Sequence, residues 1–329
     1  MTPNLPAELQ AALARKAEGL SRADAALRAD AISQTYRSGG GSGRIRTSTD
    51  ALAYALARMP GTYAAIAASL NALTEIDPGF APQSLLDVGA GPGTATWAAS
   101  EAFPSLDTFT LLDANAALRD LAADLVTSQP RLETLRYDSG DARRTLADAP
   151  EADLVIASYV INELTESERA PVADAMWAKT RDILLVVEPG TPAGYARIID
   201  LRARMIAAGA HVIAPCPHDG TCPLIAPHWC HFTQRLQRSR VHKHLKGADL
   251  PYEDEKFSYV VLSRTPRDQR PARVLAQPVV TKIAVTAKIC GADGAKALSV
   301  PHRDKAAYKR AKKWNWGDAI LSGNNGTPE

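Results

Sequence analysis

All four cysteines of this chain have the makings of one metal site. Cys216, Cys222 and Cys230 share a single Pro- and His-rich stretch, PCPHDGTCPLIAPHWC, and Cys290 follows at the end of VVTKIAVTAKIC. Thiolates are soft donors, and four of them can complete a shell around zinc or an iron–sulfur cluster. The C-x5-C-x7-C spacing with a remote fourth cysteine departs from the C-x2-C knuckle usual in structural zinc sites. Buried apolar thiols are the plain alternative, since free cysteine behaves as a small hydrophobe. The prolines at 215, 217, 223 and 227 and the polar residues between them argue against a packed core. His218, His228 and His231 lie near enough to stand in as ligands, though four thiolates make them unnecessary.

A second group of residues surrounds a glycine turn. Asp87-Val88-Gly89-Ala90-Gly91-Pro92-Gly93-Thr94 directly follows a short apolar run. Glycines there allow backbone conformations and a close ligand approach that a Cβ would obstruct. The dinucleotide fingerprint counted from Gly89 needs glycine at 94, where Thr94 stands. Asp87 with Gly89, Gly91 and Gly93 instead resembles the class I methyltransferase motif, with S-adenosylmethionine as the cofactor. Asp113, ending the next strand, is placed to accept hydrogen bonds from ribose hydroxyls, and Asp141, in SGDA, to approach the adenine.

Methyl transfer needs chiefly in-line positioning, with a base only if the acceptor carries a proton. The stretch after the fourth strand reads Tyr159-Val160-Ile161-Asn162-Glu163-Leu164, without the Asn/Asp-Pro-Pro-aromatic motif of base amino-methyltransferases. Asn162 and Glu163 are the catalytic candidates, Asn162 also as a contact to the methionine moiety and Glu163 alternatively as a helix cap. No C-x3-C-x2-C triplet is present, so a cluster here is not expected to generate radicals.

Immediately after Cys230 comes HFTQRLQRSRVHKHLKGADL, read as a helix. His231, Arg235, Arg238, His242 and Lys246 would then fall within roughly an 80° arc. Arg240 and Lys243 add charge beside it, and the set Arg235, Arg238, Arg240, Lys243 and Lys246 suits phosphate contacts along RNA. The alternative is a solvated face covering the cysteine loop.

The elements that must hold these groups follow from periodicity. Helical spacing runs through 5–37 with Ser21 as a cap, and a GGGSG break at Gly39–Gly43 reads as a flexible loop. Another helix runs from Asp50 to about Leu73. Short apolar runs at 84–88, 108–113, 132–138, 152–160 and 182–188 then alternate with helical patterns. This is an α/β, doubly wound arrangement built on a parallel sheet. A helix at 193–208, the run at 211–215, and last strands at 257–264 and 279–290 complete the pattern. The expected divisions are an N-terminal helical region 1–78, a core 79–215, a cysteine loop and basic helix 216–256, last core strands 257–290 and a basic tail 291–329.

Net charge is +2, yet residues 231–329 hold 19 Lys/Arg against 9 Asp/Glu. A basic third on an acidic body points to a polyanionic partner. No run of about 18 apolar residues exists, so no membrane span is expected. The opening residues carry Glu8, Glu18, Asp24 and Asp30 and no apolar core of a secretory signal. A cytoplasmic monomer is the expectation, and in that compartment clustered cysteines mean metal or redox chemistry more often than disulfides.

Taken together, LLDVGAGPGTAT, YVINEL, VVEPGTPAGYARIIDLR, PCPHDGTCPL and WCHFTQRLQRSRVHKHLKGADLPYEDEKFSYVVLSR resemble the bacterial and mitochondrial small-ribosomal-subunit methyltransferase-like proteins, the Rsm-type assembly factors. The likeness covers most of the chain and is most specific in the cysteine loop and the basic segment after it. It implies a class I methyltransferase core that associates with the small ribosomal subunit or its 16S rRNA. It also implies a [4Fe–4S] cluster on Cys216, Cys222, Cys230 and Cys290, with zinc as the alternative metal. The competing expectations are a non-catalytic small-subunit assembly factor and a small-molecule methyltransferase with structural zinc.

Overall fold

The computed structural model describes residues 1–127, 129–140, 142–268 and 270–320, without the side chains of 142 and 143. Three helices open the chain: α1 (Ala7–Lys16), α2 (Arg22–Arg37) and α3 (Ser48–Ile76). Ser21 caps α2 by accepting the Asp24 N–H, as expected. Thr47 and Asp50 cap α3 reciprocally, each side chain accepting the other's backbone N–H. Helix α3 is apolar almost all round, so it packs as a buried rod rather than a surface helix.

The core alternates strand and helix: β1 (Ser84–Val88), α4 (Thr94–Ala102), β2 (Thr108–Asp113), α5 (Ala116–Val126), β3 (Arg136–Ser139), α6 (Ala142–Asp148), β4 (Ala152–Ser158), α7 (Glu166–Ala178), β5 (Thr180–Pro189) and α8 (Pro192–Ala207). It closes with β6 (His211–Ala214), β7 (Phe232–Gln237), α9 (Arg240–Leu245) and β8 (Tyr252–Ser263). The strand order is β3-β2-β1-β4-β5-β8-β6. Neighbours from β3 to β5 pair in parallel, while β8 is antiparallel to both β5 and β6. One reversed strand near the edge of an otherwise parallel, doubly wound sheet gives the class I methyltransferase arrangement. Strand order reverses between β1 and β4, and ligands in such sheets sit outside the carboxyl ends of the strands at that point.

β6 and β7 lie end to end along one edge of β8: Ala214 faces Val261, and Phe232 faces Phe257. The cysteine stretch is therefore a loop extruded from a broken edge strand. Beyond the core, β9 (Ala272–Val274), β10 (Val279–Val280), β11 (Ala284–Gly291), β12 (Gly294–Pro301), α10 (Lys305–Ala311) and β13 (Ala319–Ile320) build a second sheet of five strands. Its buried face carries Val274, Ala287, Ile289 and Ile320.

Three expectations are corrected. The helix read across 231–250 is strand β7 followed by the short α9, whose cap is Ser239. Phe232 and Leu236, the buried pair of β7, are four residues apart, a spacing common to strand and helix periods. The strand expected at 132–138 starts only at Arg136, after a 3-10 turn at Pro130–Leu132. The run 279–290 is broken at Thr281, whose hydroxyl accepts the Ile283 and Ala284 N–H groups, and both of its strands, β10 and β11, belong to the second sheet, so Cys290 stands there rather than in the core.

Candidate cofactor cleft and cysteine site

At the end of β1, Gly89, Gly91 and Gly93 adopt φ values of 68°, 54° and 79°. A Cβ on Gly89 would sit 2.4 Å from Val160 Cγ2, so both conformation and space demand glycine there. Asp87 is fully buried, and its Oδ2 accepts the Thr96 N–H (3.0 Å) and hydroxyl (2.8 Å) while Oδ1 has no partner among the described residues. Burial pushes its pKa up to about 7, against the Thr96 hydrogen bonds that favour the ionised form. Asp113 closes β2 and accepts the Gly91 N–H (2.8 Å) and the Asn115 N–H (2.7 Å). Each carboxylate oxygen retains a further lone pair for an incoming hydroxyl. Tyr137 donates to the Gly91 carbonyl at 2.8 Å. Asp141 lies outside the described residues.

The GGGSG loop, expected to be flexible, is tied across this cleft. The Ser42 N–H donates to Glu163 Oε2 at 2.9 Å, and Asn115 Nδ2 donates to the Ser42 and Ile45 carbonyls at 3.0 and 2.9 Å. Glu163 thus anchors the strap, and the cap of α7 is Thr165 with Glu168. Burial raises the pKa of Glu163 against the Ser42 and Tyr36 hydrogen bonds that lower it. Asn162 Oδ1 is buried without a hydrogen-bond partner among the described residues and borders a cavity of about 830 Å³ between α2, α3 and the end of β5. Tyr159, on the same wall, has φ 56°, a conformation uncommon for a bulky residue. Its hydroxyl donates to Glu255 Oε1 at 2.9 Å. Glu188 is fully buried and paired with Arg197 at 2.6 Å. Burial raises its pKa to about 7, opposed by that arginine.

The four cysteines are free thiols, and all four line one small cavity of about 30 Å³ between the two sheets. Ser258 Oγ donates to the Cys230 carbonyl at 2.8 Å and fixes the end of the loop. Cys290 arrives on β11, opposite Arg273 of β9. Burial raises the thiol pKa of Cys290 to about 12, with Cys216 and Cys222 adding to the shift. Burial also raises Cys230 well above a free thiol, reinforced by Cys216, Cys222 and Cys290. Two buried arginines border the same cavity. Among the described residues Arg202 Nε and Arg273 Nε and Nη2 have no hydrogen-bond partner, while Arg202 Nη2 bonds the His218 carbonyl at 2.7 Å and Arg273 Nη1 bonds the Gly317 carbonyl at 2.9 Å and lies 3.9 Å from Glu75 Oε2. Among the described residues, no three or more His, Cys, Asp or Glu side chains are gathered closely enough to hold a single metal ion.

In the basic segment, Arg235 pairs with Asp254 at 2.7 Å and stacks on Tyr252. Arg238, His242 and Lys246 converge on Glu253. Burial raises the Glu253 pKa, but the hydrogen bonds from His242 and Lys246 outweigh it and hold the group well below the usual carboxylate range. Arg240 and Lys243 have no ion-pair partner among the described residues.

The family described as Mitochondrial small ribosomal subunit Rsm22 matches residues 48–321. The chain belongs to the Rsm22 family. Among its relatives is the human protein named Ribosome assembly protein METTL17, mitochondrial, 28% identical over 292 residues, covering 82% of this chain and 62% of that protein. Another is Rsm22-cox11 tandem protein 2, mitochondrial, of Schizosaccharomyces pombe, 24% identical over 84% of this chain and 43% of that protein. The chain thus spans less than two thirds of either relative. Solved structures similar to it include magnesium protoporphyrin IX methyltransferase of Synechocystis PCC 6803 with bound SAM (13% identity, TM-score 0.40, 70% of this chain and 90% of that one) and human N-acetylserotonin methyltransferase in complex with SAM (12%, 0.42, 71% and 66%). Likenesses this distant say nothing about the function of the chain.

For this Rsm22 family member, sequence reasoning missed Arg202, Arg273, Tyr137 and the Ser42–Asn115 strap contacts. Arg202 closes the stretch VVEPGTPAGYARIIDLR and Ser42 lies in GGGSG, but the role of each comes only from the packing of separate elements. No helix among the described residues is long and apolar enough to cross a membrane.

Proposed function

We propose that the protein is a small-ribosomal-subunit assembly factor that binds S-adenosylmethionine in the glycine cleft and carries an iron–sulfur cluster on Cys216, Cys222, Cys230 and Cys290. The observation that carries this reading is the reach of the family match. It runs from α3 through the second sheet, so cleft and cysteines belong to one unit. The two relatives bear names tied to ribosome assembly and to Rsm22.

The cysteine site suits a cluster. Buried guanidinium nitrogens are costly unless an anion faces them; Glu75 offers Arg273 one carboxylate at 3.9 Å, and a cluster held by four thiolates would supply further negative charge beside Arg202 and Arg273. Zinc on the same four thiolates is the alternative metal. In the cleft, bound S-adenosylmethionine would supply an electrophilic methyl group. The chain supplies the glycine turn, the Asp113 carboxylate for hydroxyls and the unpartnered Asn162 carbonyl beside the larger cavity. The phosphate-facing residues in this reading are Arg240 and Lys243, which have no carboxylate partner among the described residues, with Arg235, Arg238 and Lys246 behind them. The compartment is the one that holds the small subunit, cytoplasm in a bacterium.

A non-catalytic assembly factor is the second reading, favoured by the strap and Tyr137, which close over the glycine turn. Co-sedimentation of the tagged chain with small-subunit particles, followed by crosslinking to 16S rRNA, tests the assembly reading. Absence from those fractions refutes it. Methyl incorporation into such particles that is lost in Asp87→Ala or Gly91→Arg excludes the non-catalytic reading.

A further inference from the structure

The most basic stretch of the chain runs through the second sheet, and most of its charge gathers at the end away from Cys290. Residues 279–313 hold nine Lys/Arg and two Asp/Glu. One acid, Asp293, pairs with Lys296 at 2.7 Å, and the other, Asp304, caps α10 by accepting the Ala307 N–H at 3.0 Å. At the Asp304 end of the second sheet the chain gathers Lys282, Arg303, Lys305, Lys309 and Lys312. All five are exposed, and none has an ion-pair partner among the described residues.

Specific contacts hold this end together. The His302 N–H donates to the Ile283 carbonyl at 2.7 Å, and the Tyr308 hydroxyl donates to the Thr281 carbonyl, so the β10–β11 turn lies against the start of α10. The His302 and Tyr308 rings meet edge to face at 4.8 Å, and Lys312 Nζ lies 5.8 Å from the Tyr308 ring. Lys305 and Lys309 on α10 and Lys312 at its C-cap recur at helical spacing and so form one stripe. Beside them Ile283 is 80% exposed and Val279 62% exposed.

We infer that this end of the second sheet is a binding surface for single-stranded RNA, with the lysine stripe and Arg303 on phosphates and the exposed His302 ring as a stacking platform. A row of cations beside an aromatic ring is the pairing such surfaces use: charge follows the backbone, and rings take any base. The β7–α9 segment is the weaker candidate, because three of its cations are already neutralised by Asp254 and Glu253. An acidic protein partner would use the lysines alone and leave the ring without a role. The surface is separable from the thiols, since Ala284 and Cys290 stand at opposite ends of β11, about 20 Å apart at ~3.4 Å per residue.

The inference rests on the proposal that the protein works on small-subunit RNA. Its test is fluorescence anisotropy of the full chain with a labelled 20-nucleotide oligouridylate across a salt series. Lys305→Glu with Lys309→Glu is expected to weaken binding at least tenfold and to flatten the salt slope by about 1.4, at ~0.7 per lost phosphate contact. His302→Ala is expected to weaken it several-fold with the slope kept. Wild-type affinity in both variants overturns the inference. So does equal competition by polyglutamate together with an unaffected His302→Ala, which assigns the face to an acidic protein. If the wild-type chain ignores the oligonucleotide, the inference also falls, while the assembly proposal is judged separately by co-sedimentation with small subunits.

Discussion

Arg273 and Cys290 stand opposite each other on antiparallel strands β9 and β11, and both reach the cavity that Cys216, Cys222 and Cys230 line from the edge of the main sheet. The fourth thiol and one of the two buried cations thus come from the second sheet, and a metal on the four thiols would join the two sheets, beside contacts such as the Trp316 ring against His231 and Arg273 near Glu75.

The arginines should tune the site electrically. Reduction of a cluster adds negative charge, and nearby cations favour the reduced form. Arg202→Gln is expected to shift the midpoint potential to more negative values while keeping iron bound, as followed by a dye-mediated titration. A potential that stays put or rises would show that the guanidinium does not face the cluster. Arg273→Gln should shift it the same way and also lower stability, since its side chain bonds the Gly317 carbonyl.

The glycine turn makes a steric prediction. Gly89→Ala forces a left-handed backbone on a residue with a Cβ and drives that atom into Val160. The cost is roughly 2–6 kcal/mol, from ~1–3 for the backbone and ~1–3 for overpacking. Urea unfolding measures it. Adding Val160→Ala should recover the overpacking share and leave the backbone share.

The strap should loosen when its anchor goes. Glu163→Ala removes the acceptor of the Ser42 N–H, a loss of about 1–2 kcal/mol locally. Limited trypsin digestion is expected to cut after Arg44 and Arg46 several-fold faster, with the core intact. An unchanged cleavage rate would mean that Asn115 alone suffices to hold the strap.

Asp87 predicts a pH dependence with a definite sign. Its folded pKa, about 7, is above the unfolded value of ~3.9. Between those values the unfolded chain has released a proton that the folded chain keeps, so stability falls as pH rises through this window. Asp87→Asn keeps an acceptor for Thr96 and does not titrate. Its stability relative to wild type should therefore rise from pH 4 to pH 7 and then level off in thermal melts. A constant difference would place Asp87 in a more polar setting.

How legible this was in the sequence depended on locality. The glycine turn, Asp113 and the strand–helix alternation were readable because each depends on neighbours in the chain. The split edge strand was not. The spacing of Phe232 and Leu236 fits either period, and only pairing with β8 decides it. The basic stripe failed for a related reason, since Glu253, which collects Arg238, His242 and Lys246, comes from the opposing strand. Cys290 lines the same cavity as the loop cysteines, but its placement on a second sheet depends on pairing with β9 and β12, which the β-branched run concealed.

The most direct test of the proposed cluster is iron and acid-labile sulfide content after anaerobic purification, for the wild-type chain and for Cys290→Ser. About four irons and four sulfides per wild-type chain are expected, as a cubane on four thiolates requires. Both should be lost in Cys290→Ser, with a lower melting temperature as the second sheet comes away. A wild-type chain holding zinc or no metal, or a Cys290→Ser variant with full iron and an unchanged melt, would contradict the cluster and the role given to the second sheet.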